Sequence, residues 1–240
     1  MFWDILYYYG LPISLVMVVI SGIISWNCKH TFKKYSEVMA SNGMTGAMAA
    51  QRILSAYGVN DVEIRHISGD LTDNFNPKDK TLNLSDSVYN NPSIAAIGVA
   101  AHECGHAIQH HVGFLPNKIR SALVPGANIG SQFGPWLAII GVGLMAYLDN
   151  SDGGGIGSFL FTAGIVMFSL AVLFYIVTLP VELDASRRAL VILRKDGLLA
   201  GSELGGARKV LSAAAMTYIA AAASAILTLL RLISYGKRRN

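Results

Sequence analysis

Four long apolar stretches punctuate the chain, and the segments between them alternate in polarity on shorter periods. Residues 5–28 carry no charged side chain, and about 20 apolar residues suffice to cross the hydrocarbon core of a bilayer. Trp3, Tyr7, Tyr8, Tyr9 and Trp26 flank the centre of this run as interfacial aromatics do. A signal peptide fits less well: the leading residues lack positive charge, and no small-residue cleavage site precedes Lys29. Residues 121–148 are again free of charge, but Pro125, Gly126, Gly130, Gly134 and Pro135 break up their first part. The pattern therefore predicts a continuous span only from about Gln132. Residues 156–181 form the third run. Residues 210–230 form a fourth, Ala-rich and less hydrophobic, which reads either as a span or as a buried or re-entrant helix.

The polar segment between the first two runs reads as a small mixed domain. Residues 45–57 predict a helix ended by Gly58. Residues 62–67 alternate apolar and polar positions and predict a strand. Asn76-Pro77-Lys78-Asp79 is a turn between 71–75 and 81–84, which predicts a hairpin. Such a hairpin either holds an extended peptide by main-chain pairing or only covers the helix that follows. That helix is predicted to start with Asn91 as N-cap and Pro92 at its first position. Ile94, Ala95, Ile97, Gly98, Val99 and Ala101 continue it into His102.

Composition moves the whole chain into the membrane class. Its 240 residues are 52% hydrophobic and only 14% charged, where soluble domains carry roughly 25% charge. The 19 Lys and Arg residues cluster beside the apolar runs rather than over a surface, so the net charge of +4 predicts no nucleic-acid partner. Cys28 and Cys104 are too few for a disulfide framework and read as reduced packing residues.

Charge also orients the chain. Nine basic residues separate the first two runs (Lys29, Lys33, Lys34, Arg52, Arg65, Lys78, Lys80, Lys118, Arg120) and six separate the last two (Arg187, Arg188, Arg194, Lys195, Arg208, Lys209). The acidic loop at 149–155 has none. The intervening segments are therefore expected on the cytoplasmic side, with Lys237, Arg238 and Arg239 in conflict if the fourth run spans. The expected architecture is mainly α and membrane-embedded, with three to four transmembrane helices plus a small α+β domain. Its divisions are an N-terminal transmembrane helix over 1–28, a cytoplasmic segment over 29–120, a two-helix transmembrane hairpin over 121–181, and a final helical part over 182–240.

The chemistry sits in Ala101-His102-Glu103-Cys104-Gly105-His106-Ala107-Ile108-Gln109-His110-His111. Residues four apart on a helix are offset by about 40° and rise roughly 6 Å. His102 and His106 can thus point two imidazoles at one metal ion, with Glu103 beside them to take a proton from water. The plain alternative is two solvated histidines on an ordinary amphipathic helix. A catalytic zinc usually takes three protein ligands, and His110, His66, Glu182, Asp184 and Glu203 are the candidates for the third. His110 lies another turn along, out of reach of an ion shared with His102 on an unbent helix. Glu182 follows the third span, after Pro180, which fits the first turn of a new helix. The same stretch can be read instead as helical ion pairs of Glu182 and Asp184 with Arg187 or Arg188.

His102-Glu103-x-x-His106 followed by Glu182-x-x-Ala185 resembles the gluzincin pattern of membrane-integrated HtpX-type peptidases. The match is closer to the YugP-type bacterial membrane zinc peptidases, whose signature segments the stretches 93–109, 182–190 and 207–211 resemble. The resemblance implies a zincin-like domain holding one Zn2+ per chain on His102, His106 and Glu182. It also implies Glu103 as general base, a protein or peptide substrate, and a multi-pass place in the bilayer of a bacterial inner membrane. The HtpX-type pattern has an Asp where this chain has Ser186, which puts Asp184 forward for its supporting role. Arg187, Arg188 and His66 are candidates to stabilise the oxyanion. Two other classes compete: a non-catalytic membrane scaffold that keeps a metal site, and a small transporter. The first three apolar runs lack the charged residue that transport pathways usually carry.

Overall fold

The structure, a computed structural model, describes residues 2–147 and 154–237. Most of the acidic loop expected over 149–155 lies outside the described residues, as do Arg238 and Arg239. The elements in chain order are α1 (Phe2–Ser36), α2 (Gly46–Ala56), β1 (Glu63–His66), β2 (Asn74–Asn76), β3 (Thr81–Leu84), α3 (Ile94–His111), α4 (Leu115–Tyr147), α5 (Gly154–Lys195) and α6 (Gly201–Lys237). The helices α1, α4, α5 and α6 are each long and apolar enough to cross a membrane. They pack into two compact units, one of Met1–Gly22, Ile119–Leu179 and Tyr218–Asn240, the other of Ile23–Lys118 and Pro180–Thr217.

In the first unit, Gly130 and Gly134, which seemed to break the second apolar run, turn out to lie on its packing face. α4 runs unbroken through Pro125 and Pro135. Gly130, Gly134, Ala138 and Gly141 recur on one side of it and meet α5 at backbone distance. A Cβ at Gly134 would come within 2.8 Å of Phe168 N, and one at Gly130 or Gly141 would strike the Met167 carbonyl or the Phe161 amide. Small residues at such spacing let helices in lipid approach closely, where backbone dispersion replaces the missing hydrophobic drive. Glycine there signals contact rather than helix breaking. α1 turns Leu11, Leu15, Val18 and Val19 outward, as a lipid-facing surface requires.

The second unit is built around α3. Ile94, Ala95, Ala96, Ile97, Ala100, Ala101, Cys104 and Ala107 are all buried, so this helix is apolar on several faces, as a core helix is. α2 packs against it through Ala49, Ala50, Ile53 and Leu54, with Thr45 as N-cap and Gly58 in the left-handed region (φ +71°) after its end. The sheet has the order β1-β3-β2, with β1 parallel and β2 antiparallel to β3. The expected hairpin is β2–β3. β3 lies in the middle with both edges paired, which leaves β2 as the open edge beside α3.

Two expectations about helix starts need correction. Ser93, not Asn91, caps α3: its hydroxyl accepts from Ala96 N, and Ile94 opens the helix. Residues 91–93 are held extended because Pro92 O accepts from Ala40 N, Ile94 N donates to Val38 O, and Met39 bridges Ser93. Pro180 starts no new helix, since α5 continues from Gly154 to Lys195 across it. An interior proline removes one helical hydrogen bond, and the packing of a 42-residue helix absorbs that loss.

Candidate metal centre

His102 and His106 project from the middle of α3, where Ser93 fixes the helix start and the core fixes its roll. Glu182 reaches them from the first turn of α5 past Leu179. Its Oε2 lies 3.3 Å from His102 Nε2 and 3.5 Å from His106 Nε2. The imidazoles meet edge to face with centroids 4.7 Å apart. One donor atom from each of the three residues falls within 4.8 Å of the others.

These separations test whether the residues suit zinc. Tetrahedral ligands about 2.0–2.1 Å from a zinc ion stand roughly 3.3–3.4 Å apart, close to the carboxylate–imidazole distances here. Two imidazole nitrogens and one carboxylate oxygen are a typical catalytic zinc donor set. The side chains are 13%, 12% and 3% exposed, shielded but still within reach of a water. Burial raises the Glu182 carboxyl, but the two histidines beside it outweigh that effect, so its pKa lies well below the usual carboxylate range. The ionised form is the one that ligates.

Helix packing holds this geometry. A Cβ on Gly105 would come within 2.8 Å of Ala185 O and 3.2 Å of Ala185 Cα, so α3 and α5 touch backbone to backbone between the histidines and Glu182. Ser186 Oγ lies 3.1 Å from His102 Nδ1. Ser186, rather than Asp184, is thus the α5 side chain beside the His102 ring nitrogen. Glu103 is buried, and its Oε2 accepts a 3.0 Å hydrogen bond from Phe75 N on β2. The base candidate is therefore aimed by the open edge strand.

The remaining candidates lie elsewhere. His66, on β1 at the far edge of the sheet, has its Nε2 2.7 Å from Asp86 Oδ1 and its ring against Tyr89. His110 rests on the Phe75 ring, and Glu203 accepts from Ser41 N. Asp184 binds Arg188 Nε at 2.5 Å, and the Arg188 guanidinium lies over Phe114. Arg187 and Arg188 line a cavity of about 430 Å³ with Asp184, Ile108, Val112 and Val191. Phe75 and Gln109 go unread in the sequence, and Ser186 reads there only as a departure from the HtpX-type pattern. Gln109 stands three residues from His106, a helical neighbour position, while nothing local pairs Phe75 with Glu103.

Cys104 faces the other way, its thiol 3.7 Å from Ala50 O. Burial, and then the Glu103 charge, push it well above the usual thiol range, so it stays protonated and unreactive. Iodoacetamide is expected to leave Cys104 unmodified in the folded protein and to label it fully after denaturation, as read by peptide mass mapping.

Known proteins resemble this chain over most of its length. Residues 11–237 fit the sequence model of a family described as "Putative neutral zinc metallopeptidase". The chain is 41% identical over 215 residues to "Putative membrane protease YugP" of Bacillus subtilis (strain 168), covering 88% of this chain and 91% of that protein. No solved structure matches. With the family's model running from the first helix to the last, the chain belongs to this family of zinc metallopeptidases.

Proposed function

We propose that the protein is a membrane-integrated zinc endopeptidase whose ligands are His102, His106 and Glu182 and whose general base is Glu103. The observation that carries this reading is the convergence of the three donor atoms, with Glu182 Oε2 3.3 and 3.5 Å from the two imidazole nitrogens, and a buried carboxylate next to the histidines in sequence. Zinc bound there supplies a polarised scissile carbonyl and an acidified attacking water. Glu103 accepts the proton of that water and hands it to the leaving amine. The Phe75 N–H holds the Glu103 carboxylate in place for both transfers.

β2 is the element suited to hold substrate, since β3 is paired on both sides. In an antiparallel strand the N–H and C=O of one residue point the same way, so Phe75 presents its carbonyl on the side where its N–H meets Glu103. An extended peptide laid along that edge would have its main chain fixed beside the three metal donors. Arg187 and Arg188 are the cationic side chains nearest in sequence to Glu182 and remain the candidates for oxyanion stabilisation. The positive-inside count supports a cytoplasmic side for the metal centre, and a bacterial inner membrane is the bilayer that suits this reading.

Zinc content decides between this enzyme and a scaffold. The purified full-length protein should carry about one zinc per chain by elemental analysis, and His106→Ala should lose it, because two donors bind far more weakly than three. A wild-type protein that takes up no zinc would favour the scaffold.

A further inference from the structure

Gln109 is completely buried and has no part in the chemistry above, yet it bonds to both helices of the metal centre. Its Nε2 donates to Val181 O at 2.8 Å and to Asp184 Oδ2 at 2.9 Å, both on α5. Its Oε1 lies 3.1 Å from His106 Nδ1. The orientation of the amide follows from these partners: turned over, it would set its oxygen against two other oxygens. An amide oxygen only accepts hydrogen bonds. Nδ1 of His106 therefore carries the ring proton, and the Nε2 lone pair is left facing Glu182. Beyond the amide, Asp184 is gripped by Arg188, which rests on Phe114.

We infer that Gln109 is a positioning residue that locks His106 in its metal-binding tautomer, and that Asp184 and Arg188 act on the metal only through this amide. The inference rests on the zinc reading of His102, His106 and Glu182. A ligating histidine commonly donates its second N–H directly to a carboxylate or a carbonyl. Here the carboxylate stands one group further away, and a neutral amide relays between it and the ring. Because the same amide bonds to Val181 and Asp184, on either side of Glu182, it also fixes the spacing of α5 from the two histidines.

The test is zinc affinity of the full-length protein in detergent, measured by competition with a chromophoric chelator. Gln109→Leu keeps the side chain's size and removes both ends of the relay, so it should weaken zinc binding about 10- to 100-fold. Asp184→Ala should weaken it less. Adding Asp184→Ala to Gln109→Leu should cost nothing more, because Asp184 has lost its only route to the metal. Unfolding of the zinc-free variants separates this role from a structural one, since a packing residue would lower the zinc-free melting temperature and spare the affinity of the folded protein. Wild-type affinity in folded Gln109→Leu, or fully additive losses in the double variant, would overturn the relay while leaving the zinc reading intact. A wild-type protein without zinc would overturn both. Should Gln109→Leu not accumulate, the partly exposed Asp184→Ala carries the test alone, and unchanged zinc affinity there overturns the relay.

Discussion

Glu103→Gln is expected to end peptide cleavage while leaving zinc in place. General base catalysis by a positioned side chain contributes about 10²- to 10⁴-fold, and a neutral amide does not take up the water's proton, so turnover should fall by at least that range. The substitution is also structurally conservative here. A Gln oxygen can still accept from Phe75 N, the bond that ties the Glu103 side chain to β2, so the edge strand has no reason to move. His102, His106 and Glu182 are untouched, and zinc content should equal that of wild type. Cells carrying wild-type or Glu103→Gln protein, compared by proteomics, would reveal the substrate as fragments that disappear in the variant. Full activity in the variant would remove Glu103 from the mechanism. Loss of zinc would instead make it a ligand.

The parts of this molecule that were readable in the sequence are those governed by local physics. Residues 5–28 fall in a helix long and apolar enough to cross a membrane because no charge interrupts them, and 62–67 hold a strand because their polarity alternates. Thr45 and Gly58 bracket α2 as their chemistry requires. What failed to read was set by partners distant in sequence. The α3 start lies two residues later than expected because the segment at 91–93 is pulled into extended pairing with 38–40. Pro125, Gly130 and Gly134 looked like helix breakers, as they would be in water, whereas in α4 the glycines are where α5 comes to rest. The site divides in the same way. The i,i+4 spacing of His102 and His106 is a property of one helix. The contacts of Gln109 with Asp184 and of Ser186 with His102 join residues 75 and 84 positions apart, and no periodicity encodes them.

Gly105→Ala should be the glycine substitution most damaging to the metal site. The added methyl meets Ala185 at 2.8 Å from its oxygen, 3.2 Å from Cα and 3.3 Å from the carbonyl carbon. All three are backbone atoms, so no rotamer change can relieve the contact, and one helix must move by several tenths of an ångström. Overpacking of this kind costs roughly 1–3 kcal/mol. The functional loss should be larger than the stability loss, because Ala185 is less than one helical turn from Glu182 and moves with it. A displacement of that size shifts the His–Glu separations of 3.3 and 3.5 Å away from the roughly 3.3–3.4 Å edge of a zinc tetrahedron, and a misplacement of about 1 Å at a catalytic group can cost about 100-fold in rate. Gly205→Ala supplies the contrast: a Cβ there meets nothing within 4 Å, and alanine in a helix interior gains about 0.5–1 kcal/mol over glycine. Expected, then, are a lowered melting temperature and loss of zinc in Gly105→Ala, against unchanged zinc and equal or better stability in Gly205→Ala. If Gly105→Ala kept wild-type zinc affinity, close approach of α3 and α5 would not be what sets the metal site.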